Sequence, residues 1–199
     1  MPDISYRSRQ TQFRSADPGD GEPMLIEGYF VVFDQPYYID DYCEEIVDRH
    51  AFDNCDMSDV RALIDHNSWL VLGRCNENVQ TLSFDIDDIG LYGRIQVNQA
   101  DNDALSLRAR VLRGDVDQAS FGFVEGRVEF EDLPGGRLRR IIREVSRLDE
   151  LTVCTFPAYE QTSISARSRT GDALRREVLE RRKANLKRRL HRNEKQNPA

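Results

Sequence analysis

Met24-Leu-Ile-Glu-Gly-Tyr-Phe-Val-Val-Phe33 is the strongest strand signal in the chain. Its β-branched and aromatic side chains suit a pleated, half-buried surface, and Gly28 marks a bend or bulge within it. Similar stretches recur downstream. Val60 to Asp65 is a short apolar strand that ends at His66, and Leu70 to Arg74 follows, with Gly73 breaking the run. Thr81 to Ile86 and Gly90 to Val97 alternate and are tightly joined, which predicts a hairpin. Gln118 to Phe130 reads as a strand, Leu138 to Val145 follows the Pro134-Gly-Gly136 turn, and Leu148 to Phe156 is ended by Pro157. Ile4 and Tyr6 alternate with polar neighbours and signal an edge strand weakly. Ser15 to Pro23 is loop chemistry, and Pro36 to Val47 reads as an aromatic, acidic covering loop. Residues 101 to 112 set Ala104, Leu105, Leu107, Ala109 and Leu112 at helical spacing behind an Asp101 or Asn102 cap. Seven or so strands with few helices predict a mainly β fold, a small antiparallel barrel or curled sheet with flanking helices.

A chain of 199 residues holds one domain with a real core plus an appendage. Its 39% hydrophobic and 32% charged fractions place part of it outside that core. The absence of a run of about 18 apolar residues excludes a helical membrane span. No signal peptide is read at the N-terminus, which lacks an apolar stretch after its basic start. Cys43, Cys55, Cys75 and Cys154 share no CxxC or CxxH spacing, so they read as free thiols in a reducing compartment. No metal site and no cofactor are expected.

Charge divides the chain in two. Residues 167–199 hold 12 Lys/Arg against 4 Asp/Glu, a balance of +8, which leaves the first 166 residues at −15 within a net charge of −7. This predicts a folded unit over 1–166 and a basic tail over 167–199, joined at the exposed Arg167-Ser-Arg-Thr-Gly171 stretch. Within the tail, Leu174 to His191 reads as a helix whose leucines at 179, 186 and 190 make a stripe too narrow to build a core. Basic runs bind phosphate backbones, but this tail has no aromatic residue for base stacking, and the acidic body repels nucleic acid. A solvated helix is the plain reading of the tail, and an acidic protein surface is a better partner for it than nucleic acid.

Two segments carry the chemistry. Asp59-Val-Arg-Ala-Leu-Ile-Asp-His66 ends an apolar strand on an imidazole, and Asp117-Gln-Ala-Ser120-Phe-Gly-Phe123 sets a hydroxyl among rings. An imidazole that takes the proton of an attacking hydroxyl is the working pair of a serine hydrolase. His50 lies in a charged turn and His191 in the basic tail, which leaves His66 as the base. By alternation Ser120 and Gly122 share a face, with Phe121 and Phe123 on the other, and Gly122 leaves room for a substrate backbone. A third group must orient the imidazole. Asp65 is adjacent to His66 and points away on a strand. Glu150 shares a face with Thr152 and Cys154 in an otherwise apolar strand, where a lone carboxylate needs a partner. Asp149 faces the other way, with Leu151 and Val153. Glu150 is the choice for the acid, and a surface-facing glutamate is the competing reading. Arg74, beside Gly73, is a candidate for the developing oxyanion or a member of a structural ion pair.

The order Ile26-Glu-Gly-Tyr-Phe-Val-Val-Phe33, Ala51-Phe52, Val60 to His66, Leu72-Gly-Arg74, Ser120-Phe-Gly-Phe123, Glu150 and Phe156-Pro-Ala-Tyr159 with Thr162 resembles the prohead maturation proteases of tailed phages. The resemblance spans about residues 24 to 165 and rests on several short blocks in order. That family is related in fold to the herpesvirus assembly proteases, which implies an assemblin-like β-barrel. It matches Ser120 to the nucleophile, His66 to the base and Glu150 to the acid. Leu151-Thr152 stands where the family has Val-Ser, and Arg49-His50 where it has Pro-Gly. The implied role is an endopeptidase that cuts scaffold or capsid protein segments, and itself, inside the immature shell in the host cytoplasm. Self-association is compatible with it. A non-catalytic assembly module and a nucleic-acid-binding protein acting through the basic tail are the alternatives.

Overall fold

The structure is a computed structural model that describes residues 4–15, 23–156 and 176–188. Among these residues the chain forms three sheets. The five-stranded sheet runs β1 (Ser5–Gln10), β9 (Gln118–Glu125), β12 (Val145–Cys154), β5 (Val60–Ile64) and β6 (Asn67–Cys75). The four-stranded sheet runs β10 (Val128–Leu133), β11 (Arg137–Ile142), β4 (Cys43–Val47) and β3 (Tyr37–Asp40). The three-stranded sheet runs β2 (Leu25–Val32), β8 (Gly90–Gln96) and β7 (Leu82–Ile86). One core joins them: Ile26, Phe30 and Ile95 meet Phe121, Phe123, Leu151 and Ile142, and α1 (Asn102–Arg113) adds Leu107.

The mainly β expectation holds, but the ladders of the described residues do not close into one barrel. Nor are they purely antiparallel, since β12 runs parallel to β5 and β11 parallel to β4. Parallel neighbours need long crossover connections. Here those crossovers carry the chain from sheet to sheet instead of around a single ladder.

Three local expectations change. Pro36 to Val47 is not a covering loop but the β3–β4 hairpin, turned by Asp40, whose Oδ1 accepts from the amides of Tyr42 and Cys43 at 2.7 and 2.8 Å. Gln118 to Phe130 divides into β9 and β10. β6 runs through Gly73 without a break, and glycine serves close approach there, since a side chain would lie 2.9 Å from the Thr81 carbonyl oxygen. The expected cap of α1 is present: the Asp101 side chain accepts from the amides of Asp103 and Ala104.

A buried ionic cluster ties the five-stranded sheet to the four-stranded one. The Arg7 guanidinium on β1 and that of Arg140 on β11 are 3% and 2% exposed, and both bind Glu45 of β4, which is fully buried. Arg140 also meets Glu125 of β9 at 2.6 Å, and Arg7 meets it at 3.2 Å. On the same four-stranded sheet rests α2 (residues 176–188). Its Val178 is buried with Cys43 and Leu138, and Arg182 lies 3.5 Å over the Tyr42 ring. The 166/167 boundary and its linker, along with Pro157, Tyr159 and Thr162, lie outside the described residues.

Candidate active site

His66 stands at the apex of a two-residue hairpin. Ile64 pairs with Asn67, and the residues between them, Asp65 and His66, have φ of 47° and 57°. A tight type I′ turn requires positive φ at both central positions. Outside glycine such a conformation costs about 1–2 kcal/mol per residue, less for aspartate. Hydrogen bonds to β12 and the residue after it hold the turn: the Asp65 amide donates to the Val153 carbonyl at 3.1 Å, and Asp65 Oδ1 accepts from the Thr155 amide at 2.9 Å. Asp65 is thus spent on the turn and does not serve His66.

The imidazole meets Glu150 instead. His66 Nδ1 is in hydrogen-bond contact with Glu150 Oε1, and the Thr152 hydroxyl donates to the same oxygen at 3.0 Å. A bulge makes this possible. Leu148 opposes Phe123 and Glu150 opposes Gly122, so Asp149 is the residue left over in β12. It does not join Leu151 and Val153 as alternation predicts; its carboxylate takes Arg147 at 2.8 Å.

Tyr6 completes the arrangement, and the sequence reading gave it no role. Its ring stands edge-on to the His66 ring, centroids 4.7 Å apart. Burial first, then the Glu150 and Asp149 carboxylates, raise the phenol above its ordinary value, so it remains a neutral group beside the pair. Tyr6, Gly122 and Glu150 form one cross-strand row. A methyl group on Gly122 would lie 2.7 Å from Glu150 Cγ and 2.8 Å from Tyr6 Cε1. The space at Gly122 is therefore filled by the acid and the tyrosine, not reserved for a substrate backbone. Gly122→Ala is expected to leave the circular dichroism spectrum unchanged and to lower kcat/KM by roughly 10²-fold, the scale of an ångström-size misplacement. An alanine variant with full activity would show that the position of Glu150 is unimportant.

Ser120 opposes Thr152 across the β9–β12 ladder, and directly opposed side chains share a face. The hydroxyl thus stands on the Glu150 and Thr152 face, fully buried, and donates to the Arg7 carbonyl at 2.9 Å. His66 Nε2 is buried with no hydrogen-bond partner among the described residues. A buried ring nitrogen without a partner is costly, and it is the atom through which an oriented imidazole takes a proton. Arg74 commits its guanidinium to Asp59, at 2.6 and 2.8 Å, which is the structural ion pair among its two readings. His50 is exposed and bonded to Asp53.

Three of the four thiols offer no competing nucleophile. Burial pushes Cys43, Cys55 and Cys154 up to about 12, where almost no thiolate exists at neutral pH. Alkylation with iodoacetamide at neutral pH is expected to leave activity intact. Loss of activity in step with labelling of Cys154 would point to sulfur rather than oxygen as the attacking atom.

Known proteins resemble this chain. The sequence profile described as Caudovirus prohead serine protease matches residues 9–177. The prohead protease of Enterobacteria phage HK97 is 32% identical over 174 residues, covering 83% of this chain and 70% of that one. The solved structure of the bacteriophage T4 capsid assembly protease aligns with a TM-score of 0.49 and 13% identity, over 78% of this chain and 99% of that one.

Proposed function

This chain belongs to the caudovirus prohead serine protease family, and from that premise we propose that it is a capsid maturation endopeptidase in which Ser120 is the nucleophile, His66 the general base and Glu150 the acid that orients it. The observation that carries the assignment is the His66–Glu150 contact, with Nε2 unpartnered among the described residues, on a sheet whose Glu150 face also bears Ser120. In the reaction the Ser120 hydroxyl leaves the Arg7 carbonyl, passes its proton to His66 Nε2 and adds to the scissile carbonyl. The imidazolium then protonates the leaving amine, and water, deprotonated by the same nitrogen, releases the acyl group. Glu150 holds the ring tautomer, and Thr152 and Tyr6 hold Glu150 and the ring.

The substrates are capsid or scaffold segments enclosed with the enzyme in the immature shell, the chain itself among them. The three sheets on one core are read as an interrupted form of the herpesvirus assembly protease barrel. The basic segment 167–199 is read as a docking element whose helix α2 is seated on the four-stranded sheet through the buried Val178. On α2, Arg176, Lys183 and Lys187 are exposed, which suits an acidic protein surface. The test is to incubate the purified chain, wild type and Ser120→Ala, with its unprocessed shell protein. Defined fragments and a shortened protease are expected from the wild type alone. Equal cutting by both would remove Ser120 from the mechanism.

A further inference from the structure

The chain has one tryptophan, and it is the most exposed large apolar side chain among the described residues: Trp69 is 90% exposed. It lies three residues after His66, on β6, the last strand of the five-stranded sheet. Its position is built. Leu63 opposes Val71 while Ile64 opposes Asn67, so Ser68, Trp69 and Leu70 have no residue across from them on β5. Extra residues in one strand bend it and re-aim a side chain, and such bulges recur beside active sites. The Asn67 side chain pins this one by accepting the Trp69 amide at 3.0 Å.

Other apolar side chains flank the same hairpin. Val71 on β6 is 44% exposed. On the other side, Phe156 is 59% exposed and directly follows Thr155, whose amide is held by Asp65 at the apex. Because β5 lies between β12 and β6, His66 has exposed apolar side chains to either side at one end of the sheet. A large ring left in water forfeits the gain its burial would bring, and exposed aromatic clusters mark binding surfaces.

Resting on the assignment of His66 as the catalytic base, we propose that Trp69, with Val71 and Phe156 around the hairpin, anchors the extended polypeptide substrate by gripping a bulky apolar or aromatic side chain near its scissile bond. The occupant follows from continuity. Any chain cut at Ser120 with the help of His66 must pass this hairpin, and the edge strand β6 offers backbone groups to an extended segment. The acidic balance of residues 1–166 disfavours a phosphate-bearing partner.

The single tryptophan makes the test direct. In the full-length Ser120→Ala chain, indole fluorescence should shift to the blue as a peptide spanning a mapped cleavage site is added. It should saturate with the same Kd as the anisotropy of that peptide carrying a dye. In the active chain, Trp69→Ala should raise KM at least about tenfold, as removal of a central aromatic anchor does, with kcat changed by no more than about twofold. Trp69→Phe should recover most of that loss. Peptide binding without a fluorescence shift, together with an unchanged KM in Trp69→Ala, overturns the proposal. A shift that follows protein concentration without peptide overturns it too, and assigns the face to a second copy of the chain. A shift with the peptide in a Ser120→Ala chain that still cuts it supports the anchor while refuting the catalytic assignment.

Discussion

Replacing Ser120 with alanine is expected to lower kcat on a peptide substrate by roughly 10⁶-fold, and His66→Ala by a similar factor, since in the proposed mechanism they act as one unit. The double variant should be no worse than either single one. Glu150→Gln should cost less, roughly 10⁴-fold, because an amide can still occupy the site but no longer stabilises the cationic ring. Folding should survive all three. Loss of the Ser120 hydroxyl removes its hydrogen bond to the Arg7 carbonyl, at about 1 kcal/mol. The measurement is single-turnover hydrolysis with thermal unfolding in parallel, so that lost activity is not confused with lost structure. More than about one per cent residual activity in Ser120→Ala would place the nucleophile elsewhere.

Much of this site was legible because its signals are local or periodic. Alternation put Glu150 and Thr152 on one face, and the cost of an unpaired carboxylate in an apolar strand pointed to a partner, which is His66. The β7–β8 hairpin and the Asp101 cap of α1 were legible for the same reason. What was missed depends on residues distant in sequence. Glu44 and Glu45 made residues 36–47 read as loop, because the guanidiniums of Arg7 and Arg140, which let Glu45 be buried in a strand, are 38 and 95 positions away. The bulge at Asp149 has no local signature. Tyr6 sat in a weakly signalled strand, and its role exists only because Gly122 leaves space for it across the ladder.

That buried cluster carries the largest expected effect on stability. Glu45 lies between Arg7 and Arg140, and its removal takes from two nearly dry guanidiniums a fully buried partner, while Glu125 and Glu177, which remain beside them, are partly or largely exposed. Breaking a buried ion pair from one side typically costs about 3–5 kcal/mol, and Glu45→Gln is expected to fall in that range by urea unfolding at neutral pH. The dependence on pH follows from the same contacts. Burial works to raise the Glu45 carboxyl, but Arg7 and then Arg140 outweigh it and hold it below the ordinary glutamate value. A carboxyl lowered in the folded state contributes fully above its unfolded value of about 4.3 and loses that contribution as pH falls through the folded value. The stability gap between wild type and Glu45→Gln should therefore stay constant from about pH 7 down to about pH 5 and close only in stronger acid. A gap that closes near neutrality would mean that another group supplies the stabilisation. Because Arg7 also offers the carbonyl that holds the Ser120 hydroxyl, Glu45→Gln should lower activity as well, through the setting of β1 against β9. The proposed nucleophile would then depend on the charge cluster through the backbone of Arg7.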